Sequence, residues 1–384
     1  MTAFAFSLVA VPVAVAIYAY IVYPLVLWIA SHKSGREAIM HYADWPFVSV
    51  VIPAYNEEKQ IAGAIDALLA QDYAKDRLQI LILSDASTDA TDKIVREYES
   101  RGVELFRLPD RGGKTKAENT ATSFLRGEIV VNSDSSIRLQ TSAVRELVAH
   151  MADPTVGVTS GRDISVSQDN AANITEAGYV NYEMRVRALE TLTGGIVGAS
   201  GSCYAIRAEL HRIPVRDDLS RDFSAALTAR AHGFRSLSVD RAICFVPRTS
   251  ALREEYRRKV RTISRGIETL YVHRFLLDPI RYGVFAWKLF SHKVCRWLLP
   301  LAMIPGLVGL VLLASSHWWA RLLLAVGAVV AMLATIGTVW PSERRAPRIV
   351  SLPAFAVGAN LAVIEALWRV LARRQDHIWE PTRR

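Results

Sequence analysis

Short apolar runs of strand length fill the middle of the chain, and long uncharged runs of helix length stand toward its ends. Phe47-Val48-Ser49-Val50-Val51-Ile52 is almost wholly apolar or β-branched and stops at Pro53, the pattern of a strand buried on both faces. Leu78–Leu83 is a second such run, ending in Ser84-Asp85-Ala86-Ser87-Thr88-Asp89. Between them, Glu57–Ala70 puts Ile61, Ile65, Leu68 and Leu69 on one helical face. A βαβ unit results, with polar residues after both strands, at the edge where open α/β sheets bind ligands. Beyond it the pattern predicts a helix over Ala90–Ser100 and strands over Val103–Leu108, Glu128–Val131 and Val156–Ser160. A long helix over Asp169–Leu192, a Gly/Ser-rich stretch into a strand after Ser202, a helix from Asp222 to Ala231 and a basic helix over Thr249–Leu270 follow.

The apolar ends divide the chain. Phe4–Ala30, about 27 residues without a charge, is long enough to span a bilayer. With Lys33 and Arg36 after it and no basic n-region, it reads as an uncleaved anchor whose catalytic side is cytoplasmic, in the plasma (inner) membrane. The expected layout is an anchor over 1–31, a cytoplasmic domain over 32–272, interfacial amphipathic helices over 273–296, a transmembrane hairpin over 297–340, and a third apolar segment with a basic tail over 341–384. Ile349–Leu371 is long enough to cross, but it holds Pro353, Gly358, Asn360, Glu365 and Arg369. A charge at mid-bilayer costs about 2.5–3.5 kcal/mol, and Arg373, Arg374, Arg383 and Arg384 favour a cytoplasmic tail. The segment is therefore expected to lie as a bent, re-entrant or interfacial helix, bringing Trp379 and Arg383 back to the mouth of the site.

Charge adds a little. The net charge of +9 is concentrated in part at Arg253, Arg257, Arg258, Lys259, Arg261, Arg265 and Arg274, where it suits lipid headgroups or a diphosphate. No aromatic-interleaved basic module points to nucleic acid. Cys203, Cys244 and Cys295 match no zinc spacing or disulfide framework.

Val51-Ile52-Pro53-Ala54-Tyr55-Asn56-Glu57-Glu58 followed by Ser84-Asp85-Ala86-Ser87-Thr88-Asp89 resembles the signature of the family-2 glycosyltransferases. The resemblance runs from about Phe47 to Arg265 and continues loosely to the C-terminus, where the tail shares Trp-x-Pro-x-x-Arg with some members. It implies an α/β fold, the mostly parallel GT-A nucleotide-sugar-binding domain, here with transmembrane and interfacial helices. It also implies that Asp85 binds the base, with Glu57 and the Ala54–Tyr55 backbone lining the same slot. Asp89 is expected to cap the helix that follows, and capping is the structural alternative for Asp85. Pro109–Asn119 is similar to the family's Gly-Lys…Ala-x-Asn stretch and puts Lys114 at a helix start suited to an anion. Asn132-Ser133-Asp134-Ser135-Ser136 stands at the DxD position. With Asp134 as the first aspartate, Ser136 replaces the second, so a divalent metal (Mg²⁺ or Mn²⁺) on the diphosphate loses one anionic ligand.

Further on, Gly201-Ser202 matches the pair that lines the acceptor pocket, or is a plain loop. Counting back from Gly233-Phe234-Arg235 puts Asp222 on the family's catalytic base, with Arg221 where Glu is usual. A base there answers a chemical need, because an acceptor hydroxyl loses its proton as it attacks; the alternative is a helix N-cap. Arg221 beside Asp222 is expected to hold it ionised and weaken it as a base. In the family's Gln-x-x-Arg-Trp frame, Arg258 replaces Gln, Arg261 is kept to clamp the diphosphate, and Thr262 replaces Trp. The expected activity is an inverting transfer from a nucleotide-diphospho-sugar, in this family most often a UDP-sugar, to a lipid-linked or glycan acceptor. A processive polysaccharide synthase would need an aromatic at position 262 and more spans. A catalytically weak nucleotide-sugar-binding partner subunit is the remaining alternative, favoured by Ser136 and Arg221.

Overall fold

The computed structural model describes residues 2–33, 42–166, 171–247, 252–341 and 346–373, with side chains for all of these but 33, 171–177 and 252. The chain opens with α1 (Thr2–Ile17), a π-helical turn and α2 (Tyr23–Lys33). Then come β1 (Val48–Ala54), α3 (Ile61–Leu69), β2 (Leu78–Ser84), α4 (Thr91–Arg96), β3 (Val103–Arg107), α5 (Lys114–Ala121), β4 (Ile129–Ser133), β5 (Arg138–Leu139) and α6 (Ala143–Ala149). The second half holds β6 (Val156–Val166), α7 (Ala171–Leu192), β7 (Cys203–Arg207), α8 (Ala208–His211), α9 (Arg221–Ala231), β8 (Arg235–Pro247) and α10 (Leu252–Val272). It ends with α11 (Pro279–Tyr282), α12 (Val284–Leu289), α13 (Cys295–Leu313), α14 (Trp318–Thr338) and α15 (Arg348–Leu371).

One sheet in the order β3-β2-β1-β4-β7-β6-β8-β5 carries the domain. Every residue of β1 and β2 is buried, because helices cover both faces. Val50, Ile52, Ile80 and Ile82 meet Ile61, Ile65 and Leu68 of α3 and Leu147 of α6 on one side. Their neighbours Val51, Leu81 and Leu83 meet Ala117 and Ala121 of α5 on the other. Each such buried side chain contributes about 1.5–3 kcal/mol.

The pairing directions decide where the site is. Strands β1, β2, β3 and β4 run parallel, so Ala54, Ser84 and Ser133 all end at one edge. β7 is inserted antiparallel, with Cys203 opposite Ser133. That reversal brings Gly201-Ser202 to the same edge as the DxD-like strand end. The sheet is thus mixed rather than wholly parallel.

Helix starts moved inward from their expected places. The apolar face from Ile61 is helical as expected, but Glu57–Gln60 form a turn. The Glu57 and Glu58 amides are held by Thr91 Oγ1 (2.8 Å) and Asp89 Oδ2 (3.1 Å), from the segment after β2.

Four helices, Thr2–His32, Val284–Leu313, Trp318–Thr338 and Arg348–Leu371, are long and apolar enough to cross a membrane. α1 packs along α13 through small residues: a side chain on Gly309 would stand 2.7 Å from Ala5 O, and one on Gly306 2.8 Å from Pro12. One feature differs from the sequence expectation. The segment expected as a separate interfacial helix continues into α13 through a π-turn at Phe290–Val294. Its Lys288, His292 and Arg296 are buried against the protein rather than turned to headgroups. The last segment is a continuous helix with Pro353 inside it. Its polar residues are satisfied within the protein: Glu365 accepts from Tyr256 Oη (2.6 Å) and Arg369 Nε (2.9 Å). The expected return of Trp379 and Arg383 to the site mouth lies outside the described residues.

Candidate active site

The β1 and β2 ends are knitted together. Ala54 O accepts from the Asp85 amide (2.8 Å), and Asn56 takes a left-handed conformation (φ 53°) with its Oδ1 on the Thr88 amide (2.8 Å). Asp89 accepts from the Thr91 amide (2.9 Å), the capping role expected of it. Asp85 does not cap that helix. Its Oδ1 and Oδ2 accept the amides of Gly112 (2.7 Å) and Gly113 (2.8 Å). Asp85, 2% exposed, therefore moors the glycine loop that introduces α5. Gly113 needs to be glycine, since its φ of +86° lies where side chains are strained. Next to it the Arg111 guanidinium stacks 3.9 Å from the centroid of Tyr55. Ala54, Tyr55, Glu57 and Asp85 thus gather at one slot.

Lys114 opens α5 and crosses to the β4 end, where its Nζ lies 2.6 Å from Asp134 Oδ1. Burial alone would push this ammonium's pKa down, but Asp134 and Glu118 outweigh it and raise the pKa, so Lys114 is a fixed cation. Asn132, one turn of the strand back, is buried beside His211. Asn132 is buried, whereas the Asp134 side chain is partly exposed at the strand end.

Asp222 lies in the first turn of α9, whose N-cap is Ser220. Asp222 is therefore not the cap. Its Oδ1 accepts from Ser220 Oγ (2.5 Å), and its Oδ2 faces the loop at Gly201, where a side chain would begin 3.1 Å away. Ser202 O in turn accepts from Ser133 Oγ (3.2 Å) and the Asp134 amide (3.4 Å). Asp222, Gly201, Ser202, Asp134 and Lys114 are thus brought to one place, and Asp222 is among the acids that raise the Lys114 pKa.

The expectation for Arg221 needs correcting. Its guanidinium turns away from Asp222 and into the core. There Nε lies 2.8 Å from Glu118 Oε2, with side chains 5% and 0% exposed, and Nη1 donates to Asn119 Oδ1. Residue 221 points to the underside of α9 because successive helical residues are about 100° apart. Burial raises the Glu118 pKa, against Arg221 and Lys114, which lower it.

His211 completes this buried group. Its Nε2 lies 3.3 Å from both the Arg221 guanidinium and the Asn132 amide. Burial, then Arg221 and Arg212, hold its pKa well below the ordinary 6.5. The folded protein keeps it neutral while the unfolded chain takes up a proton below pH 6.5. Stability should fall as pH drops through that value, by up to about 1.4 kcal/mol per pH unit, until the folded-state pKa is reached. Thermal melts of the full chain between pH 7.5 and 5 should show a shallower fall for His211→Gln; an unchanged slope would clear His211.

On α10, Arg258 is engaged by its own helix, with Nε and Nη2 on Glu255 (2.8 and 2.7 Å). Its role as a diphosphate ligand would require it to leave Glu255. Arg261 is half-buried three residues on. One further turn along stands Arg265, which the sequence reading left among the membrane-side charges. Burial lowers its pKa, and Asp218 and Asp222 raise it, so Arg265 lies near Asp222. The i, i+4 spacing from Arg261 was the available signal.

A metal fits here in one way only. Among the described residues no three His, Cys, Asp or Glu side chains gather as a ligand set. Asp134 is the one carboxylate at the strand end, Ser136 is buried, and Lys114 already neutralises Asp134. These donors suit an ion carried in on a diphosphate rather than a preformed site. Ser136→Asp should tighten Mn²⁺ binding to the nucleotide-free protein by about tenfold, the order expected of one added carboxylate. Calorimetry showing tight binding to the unmodified chain would contradict this.

The sequence profile described as Glycosyl transferase family 2 matches residues 49–213, from β1 through the DxD-like strand to just beyond α8. This stretch of the chain is a family-2 glycosyltransferase domain. An N-acetylglucosaminyltransferase of Rhizobium meliloti (strain 1021) is 26% identical over 301 residues, covering 73% of this chain and 69% of that protein. One from Mesorhizobium japonicum (strain LMG 29417 / CECT 9101 / MAFF 303099) is 25% identical over 305 residues, 74% of this chain and 71% of that protein. Among solved structures, the mannosyltransferase PcManGT from Pyrobaculum calidifontis, in complex with GDP-Man and Mn²⁺, superposes with a TM-score of 0.72. It is 22% identical and covers 96% of this chain and 100% of its own, so the fold of this glycosyltransferase is shared across nearly its whole length.

Proposed function

We propose that this glycosyltransferase moves an N-acetylhexosamine, with inversion, from a UDP-sugar to a lipid-linked or glycan acceptor at the cytoplasmic face of the inner membrane. The observation that carries the reading is the position of Asp222. Its carboxylate faces the Gly201 loop, while the Lys114–Asp134 pair stands at the neighbouring strand end. In this reading the donor's sugar carbon lies between them. Asp222 takes the acceptor proton as the acceptor oxygen attacks C1 from the side opposite the diphosphate. Lys114, a fixed cation, and Arg261 draw off the charge that develops on the leaving diphosphate. A divalent ion held by Asp134 and the diphosphate would supply further charge neutralisation there. One carboxylate at the reacting carbon suffices, with no enzyme nucleophile.

In the base slot, Asp85 retains acceptor capacity on both oxygens after taking the two glycine amides. It can accept the base N–H while keeping the loop in place, with Ala54, Tyr55 and Glu57 lining the slot. The choice of sugar follows the names of the curated relatives. Thr262 is exposed and offers no aromatic ring, which weighs against a processive synthase.

The test is hydrolysis of a panel of nucleotide sugars by the purified full chain with Mn²⁺. UDP-N-acetylglucosamine should be turned over fastest. Preference for GDP-mannose would replace the donor assignment. Turnover of none, with nucleotide binding intact, would favour a binding partner subunit.

A further inference from the structure

The acceptor side of the site has a wall that the reaction described above does not use. It is made where α7, the Gly198–Gly201 loop and the π-turn before α13 meet the first turn of α9. Five bases and two acids, buried or half-buried, stand together there. The acids are committed: Glu190 accepts from Tyr23 and pairs with His292 Nδ1 (2.7 Å), and Glu183 pairs with Arg296 (2.7 Å) and His292 Nε2 (2.5 Å). Lys288 is committed as well, donating to the carbonyls of Glu190 (2.9 Å), Thr193 (2.8 Å) and Gly195 (3.1 Å) at the end of α7.

Two cations remain without a carboxylate of their own among the described residues. Arg187, 5% exposed, donates to Ser160 Oγ (2.6 Å) and Gly198 O (3.1 Å), and its Nε has no partner. Lys293 makes no hydrogen bond among the described residues. Its ammonium stands 5.4 Å from the centre of the Phe223 ring, and its Cε 3.8 Å from where a Gly198 side chain would begin. Glu183 and Glu190 act on Lys293 but pair with His292, Arg296 and Tyr23, so the basic side chains of this wall outnumber its acids and suit an anion. Phe223 directly follows Asp222, which puts that anion beside the proposed base. Lys293 also belongs to the apolar run Val284–Leu313, and Trp297, one turn on, stands edge-on to Phe223 at 6.4 Å. An anion reaching this wall arrives along an apolar, aromatic face.

We propose that Lys293 and Arg187 form a phosphate site, and that the acceptor is a membrane lipid carrying a phosphate or diphosphate next to the group that receives the sugar. This rests on the transferase reading and specifies its acceptor. The glycines at 198 and 201 let the loop pack closely on Phe223 and Asp222, which keeps Lys293 and Arg187 beside the proposed base.

The experiment is equilibrium binding, followed by tryptophan fluorescence, to the full chain in phosphatidylcholine nanodiscs. The probes are a polyisoprenyl phosphate, the matching polyisoprenol, inorganic phosphate and phosphatidylglycerol. The polyisoprenyl phosphate should bind at least about tenfold more tightly than the alcohol, a difference of about 1.4 kcal/mol. Lys293→Gln should erase that preference and Lys293→Arg should keep it, whatever the fate of Arg187 variants. Equal binding of phosphate and alcohol, or a preference that survives Lys293→Gln, overturns the proposal. Displacement by phosphatidylglycerol at equal concentration would make this a general headgroup site, and displacement by inorganic phosphate a free-anion site; either also overturns it. Binding needs no turnover, so donor hydrolysis in the same preparation judges the transferase reading separately.

Discussion

Asp222→Asn should lower sugar transfer by about 10²–10⁴-fold, the usual worth of a positioned general base, with nucleotide affinity little changed. The carboxylate faces the Gly201 loop rather than the Asp85 slot, so its loss removes the proton acceptor without touching the base or diphosphate contacts. Asparagine keeps the volume and can still accept from Ser220 Oγ, which holds the first turn of α9 together. The comparison to make is UDP affinity by calorimetry against transfer rate, in wild type and variant. Transfer within about tenfold of wild type would be too much for a lost general base and would remove Asp222 from that role.

Arg221→Met should destabilise the folded chain by about 3–5 kcal/mol, because it leaves Glu118 as an unpaired buried carboxylate. The Glu118 pKa is already raised by burial, with Arg221 the first of the groups that counter it. The double variant Glu118→Met/Arg221→Met should recover much of the loss, since it removes both charges and keeps apolar volume. Denaturant unfolding of the full chain in detergent measures the cycle. Additive losses in the two single variants and the double would mean that the pair is not coupled. The result bears on activity too. Arg221 stands where the family resemblance leads one to expect Glu, which on sequence alone weakened the case for a working enzyme. Its partner Glu118 lies within α5, so the substitution is matched inside the core and leaves Asp222 facing the cleft.

Much of the domain was legible in advance because its signals are local. Seven consecutive buried residues in β1 and in β2 read as strands without knowledge of their neighbours, and Ile61, Ile65 and Leu68 declared the buried face of α3 by spacing alone. Helix starts were less legible. The Glu57–Gln60 turn depends on Thr91 and Asp89, about thirty residues on.

The sequence by itself determined the strands, the long apolar helices and the identity of the acids and bases available at the strand ends, because burial and period act within one element. The tertiary structure alone decided their partners. Asp85 goes to two glycine amides, Arg258 to Glu255 and Arg221 to Glu118. Lys288, His292 and Arg296, which by spacing suit a membrane interface, instead face α7. A charged side chain carries no record in its own segment of which distant group will neutralise it. Coulomb attraction depends on separation in space and on how much water remains between the charges, and both are set only when the sheet and helices have closed.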